Sequence, residues 1–401
     1  MKTPSFLTQA FCLFYCLPLI QAADWSTWRG PHRDGISAEK DWKIAAEPKV
    51  LWEAEVGLGF SSFVTAGNLV FTSGHHEDKD SVFCLNATTG EVIWTHAYPA
   101  DLGDKYYEGG TSATPTLDEG KLYHLSRWGD LFCFEAATGK IVWEKNVQKE
   151  TDSNVPEWGY AGAPLVQGKL LILNVGKAGM AVDKTDGKIV WKSDTDSAGY
   201  STPYPITRDG KDLVIIGSAD NYTAVEVANG TPLWSYKWNT RYGVNAADPI
   251  LTGDTLFISS GYNKGCTLIK LTANQPQKIW ENKVLKNQFN SSVLLNGHLY
   301  GIDGDQNSRC SLKCVNLKDG KEVWAEKSIG FGSLMAADER LIILTEKGEL
   351  VIAKASTEKF EEINRSQILS GRCWSAPVLA NGKLFARNTP GHIVCLDATS
   401  K

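Results

Sequence analysis

The sequence predicts an all-β protein: an eight-bladed β-propeller of four-stranded antiparallel blades, the last blade closed by N- and C-terminal strands. Three observations predict it. One octet, Ala136-Ala137-Thr138-Gly139-Lys140-Ile141-Val142-Trp143, has relatives at 87–94, 184–191, 229–234 and 318–324. The copies return with a period of roughly 45 residues, the range of propellers, solenoids and arrays. Counting the aromatics that end each copy gives Trp52, Trp94, Trp143, Trp191, Trp234, Trp280, Trp324 and Phe360, one per blade.

Each octet explains itself as a hairpin. The Thr-Gly or Asp-Gly pair supplies a tight turn, because Gly takes φ > 0 without a Cβ clash. Apolar residues precede the turn (Leu131, Phe132, Cys133, Phe134), and β-branched residues and then Trp follow it (Ile141, Val142, Trp143). A second strand pair lies upstream, as in Ala163-Pro164-Leu165-Val166, Gly168-Lys169 and Leu170-Leu171-Ile172-Leu173. Asn381-Gly382-Lys383 repeats that second turn in the last unit. Four short strands with turns at regular spacing make a blade. The recurring Trp buries roughly 150–250 Å² and belongs between neighbouring blades. Two copies are worn: Asn274-Gln275-Pro276 replaces Thr-Gly in blade five, and Phe360 replaces Trp in blade seven.

The ends of the chain complement each other. Pro48-Lys49-Val50-Leu51-Trp52 is the second half of the signature without its first half. Ile393-Val394-Cys395-Leu396-Asp397-Ala398-Thr399 is the first half without its second. Joined, they complete an eighth blade and remove the exposed sheet edges of an open ring. The propeller then spans 48–401 and counts as one domain despite its length.

Ahead of it, residues 1–22 read as a secretory signal: Lys2, then an apolar run from Phe11 to Ile20 too short to cross a bilayer, then a cleavage site near Ala22 or Ala23. Neither Cys12 nor Cys16 sits where lipid attachment requires it. A periplasmic or extracellular monomer without a transmembrane segment is expected. Residues 23–47 form a non-repeat segment, a Gly- and Pro-containing loop rich in Trp and Arg, expected to pack on the propeller or to contact a ligand or partner. The net charge is −5 and no basic stripe appears, which argues against nucleic acid. Of nine cysteines, Cys84, Cys133, Cys314 and Cys395 share one place in their units, a packing slot rather than a disulfide framework. Cys266, Cys310 and Cys373 are less regular, and Cys310 and Cys314 lie too close on one strand to pair easily.

The units resemble the pyrroloquinoline-quinone (PQQ) repeat, Ala-x-Asp-x-x-Thr-Gly-x-x-x-Trp. Residues 181–191 match it nearly throughout, with Asp186 for Thr, and Cys84 and Cys133 stand where that family favours Ala. The opening Trp28-Arg29-Gly30-Pro31 with Arg33-Asp34-Gly35 looks like the start of exported bacterial proteins carrying this repeat. The resemblance implies strands radiating from a central channel, and no single activity. One branch, the quinoprotein dehydrogenases, holds PQQ and calcium on the axis. Many members carry adjacent cysteines that this chain lacks, and their calcium ligands and catalytic Asp match no residue here. The other branch comprises non-catalytic propellers, including a scaffold lipoprotein of outer-membrane protein assembly.

In such a ring, the loops entering each inner strand and the loops between second and third strands rim one face. The first set holds Tyr106, Tyr107, Trp158, Tyr160, Tyr200, Arg241, Tyr242, Phe289 and Trp374; the second holds His75, His76, Arg127, Trp128, Tyr222, Tyr262 and Arg387. Aromatics with Arg can stack a sugar, a quinone or a peptide. The same rings equally serve to plug the channel. His75-His76-Glu77-Asp78 is a weak metal pattern, because adjacent His point oppositely on a strand. Asp303-Gly304-Asp305-Gln306-Asn307 spaces oxygens like a calcium loop but lacks the later Gly and distal Glu. No metal site is expected from either. The expectation is an exported, non-catalytic propeller binding a protein or carbohydrate ligand through its loop face, without a cofactor. The alternative is a small PQQ- and calcium-dependent dehydrogenase oxidising alcohols or sugars, and a third reading is a purely structural envelope component.

Overall fold

A computed structural model describes residues 24–272, 275–306 and 308–399. The signal-like segment 1–22 lies outside the described residues, as do Asn274 and Asn307. Eight antiparallel sheets form the ring. Blade one runs Val64–Ala66, Leu69–His76, Lys79–Asn86 and Val92–Pro99, from the axis outward. Blades two to seven follow in chain order at 116–146, 165–192, 204–237, 250–282, 293–326 and 332–367. Blade eight has Val378–Ala380, Lys383–Arg387 and His392–Asp397 from the C-terminal side, and its outer strand is Val50–Glu55. There Trp52 faces Cys395 in register, so the ring closes as the termini predict.

The signature residues act across blade boundaries. Each turn Gly has positive φ, and a Cβ on it would strike the indole of the preceding blade. The distance would be 2.6 Å from Gly90 to Trp52, 2.6 Å from Gly139 to Trp94 and 2.8 Å from Gly187 to Trp143. The indole N–H donates to the same turn: Trp52 to Ala87 O at 3.0 Å, Trp94 to Ala136 O at 2.8 Å, Trp143 to Lys184 O at 3.1 Å. Gly is needed for the turn and for the approach of the ring. The Asp of the repeat caps the turn: Asp183 Oδ1 accepts from the N–H of Thr185 at 2.8 Å and from its hydroxyl at 2.6 Å. On the inner side of the indole, a small residue lies opposite in register: Cys84, Cys133, Cys314 and Cys395 in four blades, Ala181 and Ala224 in two others. All seven described cysteines are free thiols.

Blade seven differs from its expected form. The register puts Asn364, not Phe360, in the indole position, opposite Ile352. Phe360 instead meets Trp324 of blade six, ring centroids 6.0 Å apart, where other blades offer a turn Gly. Asn364 donates to Ala45 O at 2.8 Å, because the N-terminal segment occupies the slot beyond it. Trp42 and Ile44 from that segment are buried in the core between blades seven and eight. Trp42 donates to Ala337 O at 3.3 Å, with Arg340 4.1 Å above its ring. The segment also adds Ile36–Ser37 as a parallel fifth strand beside Gly332–Ala337, the inner strand of blade seven.

Candidate functional site: a floored axial channel with an aromatic mouth

Small polar residues at the start of each inner strand face the axis and join the blades into a hydrogen-bonded ring. Ser62 N–H donates to Thr114 Oγ1 at 3.0 Å, Thr116 Oγ1 to Pro164 O at 2.7 Å and Ala163 N–H to Thr202 Oγ1 at 3.1 Å. Thr202 N–H donates to Asp248 Oδ1 at 2.8 Å and Asp248 N–H to Ser291 Oγ at 2.8 Å. Asn290 reaches Gly332 O, Ser333 reaches Trp374 O, and Ser375 reaches Phe60 O. Every seam is bridged. These inner-strand groups therefore hold the ring's bore, while the buried Asn290 Oδ1, Ser201 Oγ and Thr111 Oγ1 stay without a partner.

The bore encloses a cavity of about 290 Å³. Its floor is the N-terminal segment: Trp25, Trp28 and Arg29 line it from one end. The indole of Trp28 donates to Asp248 Oδ2 at 2.6 Å. The buried Arg29 guanidinium donates to Asp34 O at 2.8 Å and Ser292 O at 2.7 Å. Burial pushes the Asp248 carboxyl up from its ordinary range, and the charge of Arg29 pulls it back. Burial likewise lowers Arg29, opposed by Asp248 and Asp34.

The opposite end is a mouth of aromatic rings in two arcs. One arc is mostly hydrocarbon: Tyr107 to Phe60 at 5.5 Å, Phe60 to Trp374 at 5.7 Å, Trp374 to Phe289 at 5.1 Å, Phe289 to Phe331 at 5.2 Å. The other is rich in tyrosine: Tyr106 to Trp158 at 5.9 Å, Trp158 to Tyr200 at 5.9 Å, Trp158 to Tyr242 at 6.3 Å, Tyr242 to Tyr262 at 5.5 Å. Most of these contacts are tilted or edge-on, the arrangement aromatic quadrupoles favour. At the rim Arg372 pairs with Glu108 and lies 4.4 Å over Trp374, whose indole donates to Glu346 Oε1 at 2.8 Å.

The structure sorts the sequence candidates by place. Tyr106, Tyr107, Trp158, Tyr200, Tyr262, Phe289 and Trp374 line the channel. Arg241 and Tyr242 stand exposed beside it, the guanidinium 4.8 Å over the ring. Arg127 is buried under the mouth, donating to Leu102 O at 2.7 Å, Gly110 O at 3.1 Å, Tyr107 Oη at 2.8 Å and Trp158 O at 3.1 Å. It pins the 102–110 loop to the entry of blade three. Arg387 is fully buried against Gly57 O at 2.8 Å and Ser73 O at 2.7 Å, and burial lowers it to about 10. Trp128 donates to Asp101 O at 2.8 Å and packs, half-buried, against the core between blades one and two. Tyr160 and Tyr222 are core residues. His75 turns inward onto Asp80 at 2.8 Å while His76 faces solvent. Asp303 is met by Lys286 at 3.3 Å and Lys313 at 3.0 Å. Sequence reading passed over Phe60, Asp248 and the axial hydroxyls. For Phe60 and the hydroxyls of three blades the signal is an aromatic followed by two small residues: Phe60-Ser61-Ser62, Tyr200-Ser201-Thr202, Trp374-Ser375-Ala376; Asp248, after Asn245-Ala246-Ala247, has none.

A closed ring whose indoles dock on the next blade's turn defines a PQQ-like repeat β-propeller. Residues 78–326 match the family model described as Outer membrane protein assembly factor BamB, and the chain belongs to that family. No curated protein sequence matches it. Among solved structures it resembles BamB from Moraxella catarrhalis at 14% identity and TM-score 0.65, covering 87% of this chain and 99% of that one. A europium-containing methanol dehydrogenase matches at 12% identity and TM-score 0.70, covering 94% and 98%. Quinohemoprotein alcohol dehydrogenase from Comamonas testosteroni matches at 14% identity and TM-score 0.66, covering 94% and 81%. At these identities the likeness is one of fold.

The dehydrogenase likeness raises the question of PQQ with a metal ion. A planar tricarboxylate needs cationic partners, and its metal needs carboxylate or carbonyl ligands. Among the described residues lining the channel, the charged ones are Arg29 and Asp248. Both are engaged in holding the N-terminal segment. No group of three or more His, Cys, Asp or Glu among the described residues is placed to hold a metal ion. The channel does not fit that cofactor.

Proposed function

We propose that this chain is an exported, non-catalytic binding propeller whose protein or carbohydrate ligand sits across the loop face, over the axial mouth. The observation that carries this reading is the mouth itself. Two arcs of aromatic rings surround a cavity floored by the N-terminal segment, whose charged lining residues are Arg29 and Asp248. Concave sites of this kind bind through apolar contact and take their orientation from few polar groups. Membership of a family described as an outer membrane protein assembly factor supports a protein partner and a place outside the cytoplasm. Closure of every sheet into the ring supports a monomer.

The test compares wild type with Trp374→Ala and Trp158→Ala, one from each arc. Binding of an unfolded polypeptide and of neutral oligosaccharides is followed by titration calorimetry. Loss of binding in either variant, with the melting curve kept, is the expected result. Stoichiometric uptake of added PQQ and calcium with dye reduction by alcohols or sugars would replace this reading with the dehydrogenase.

A further inference from the structure

Two tyrosines of the hydroxylated arc stand on strained backbone. Tyr242 has φ +65° and Tyr262 φ +51°, in the left-handed region. Bulky residues rarely adopt it, and Gly, Asn or Asp usually serve where it is needed. Such outliers persist where the surrounding structure enforces them, and they gather at ligand sites. Here the two rings meet edge to face at 5.5 Å. Tyr242 remains 54% exposed, so the strained backbone presents a ring to solvent rather than filling a core.

A second cavity, of about 380 Å³ and separate from the axial one, is lined by Thr240 and Gly243 of the loop that carries Tyr242. It opens between the loop joining blades three and four, the turn at 219–220 and the loop at 239–243. Its lining is polar and mixed in sign: Asn154, Lys177, Asp196, Asp220, Asn239 and Thr240. Lys177 and Asp196 pair at 3.1 Å across it with both side chains about half exposed. The hydroxyl of Thr240 is buried and has no partner. Amide, carboxylate, ammonium and hydroxyl groups together offer donors and acceptors without a net demand for charge. That combination, on the loop that also presents the Tyr242 ring, matches a pyranose. Its C–H face covers an aromatic surface while its hydroxyls both give and accept hydrogen bonds.

We infer that the tyrosine arc and this side cavity form a binding site for a neutral oligosaccharide. One sugar ring packs against Tyr242, and its neighbour's hydroxyls reach Asn239, Asp220 and Lys177. This deepens the loop-face reading, on which it rests, by choosing carbohydrate over protein for this part of the face. The hydrocarbon arc around Trp374 is left for the other portion of a ligand.

Calorimetric titration with cellotetraose, maltotetraose, mannotetraose and chitotetraose tests it, with reduced and carboxymethylated lactalbumin as the polypeptide probe. At least one of the four sugars is expected to bind with Kd of about 1 mM or tighter. Tyr242→Ala and Asn239→Ala are each expected to weaken it by about tenfold, while Tyr242→Phe retains it. Tyr242→Gly gives a second readout: relief of the left-handed strain raises the melting temperature while sugar binding is lost. A residue with a merely structural role would lower both. No binding of any sugar, or binding indifferent to Tyr242→Ala and Asn239→Ala, overturns the inference. If lactalbumin binds and Trp374→Ala abolishes that binding while sugars do not bind, the carbohydrate site falls and the loop-face reading stands. If neither probe binds, both fall.

Discussion

Trp28 and Asp248 lie 220 residues apart in sequence, yet the indole N–H donates to Asp248 Oδ2 at 2.6 Å inside the ring. The same carboxylate accepts from the Thr202 N–H through its other oxygen and faces the buried Arg29. One side chain thus ties the N-terminal segment to the blade-four and blade-five seam. Asp248→Ala removes the stronger of two carboxylates facing the buried Arg29 guanidinium, Asp34 being the other, and the acceptor of Trp28 and of the Thr202 N–H. The expected loss is about 3–5 kcal/mol of unfolding free energy in urea. Asp248→Asn should lose less, because Trp28 retains an acceptor. Equal stability of wild type and the Ala variant would show that the floor contributes nothing to the ring.

Trp143 carries a blade seam. Its ring packs on Gly187 of blade three, and its N–H is spent on Lys184 O. Trp143→Ala removes the ring and leaves a cavity that rigid sheets cannot collapse into. The expected cost is about 3–5 kcal/mol. An unchanged thermal melt would remove the docking role argued for every signature Trp. Gly187→Ala should also destabilise, since the new methyl would sit 2.8 Å from the same indole on a backbone with φ +73°.

Closure makes its own prediction. Deleting the strand Val50–Glu55 with Val56 exposes the edge of His392–Asp397 and the core face around Cys395 and Leu396. An unpaired strand edge templates association. The truncated protein is expected to aggregate on size-exclusion chromatography. A monomeric elution with the wild-type melting temperature would contradict the terminal latch.

His124 predicts a pH dependence. It is fully buried between blades one and two, hydrogen-bonded to Tyr98 Oη at 2.8 Å, and burial lowers it to about 3, with nearby His96 adding to the shift. Its folded value lies below its unfolded value of 6.5, so the folded state excludes the proton. Stability from this group is complete above 6.5 and declines as pH falls towards 3, with a slope approaching about 1.4 kcal/mol per pH unit. Asp80, raised chiefly by burial, acts in the opposite sense: its share is present at low pH and is lost as pH rises. Comparing wild type with His124→Gln between pH 7 and pH 4 isolates the histidine. The variant should show the flatter profile; parallel profiles would refute the assignment.

The blade count and the latch were legible because Trp, Gly and the turn Asp each satisfy a local and an inter-blade demand at once, and so recur together. Phe360 was legible as a worn copy but not as a displaced one. Its register depends on the bulge between Ile352 and Ala353 and on Asn364, which serves the Ala45 carbonyl. The course of residues 24–46 left no periodic trace, so the entry of Trp28 into the bore and of Trp42 between blades could not be read. Arg127 and Arg387 look like exposed site residues in sequence. Their fate depends on carbonyls from Leu102, Gly110, Gly57 and Ser73, brought near only by ring closure.

The outer strand of blade eight comes from residues 50–55 and its other three strands from residues 378–397. Every residue from Val50 to Asp397 must therefore leave the ribosome before the circle can shut. Until then the growing chain is an open crescent with a raw hydrophobic face at each end, unable to lock into its final form. Late commitment of this kind makes the pairing of residues 50–55 with 392–397 the step that fixes the whole shape.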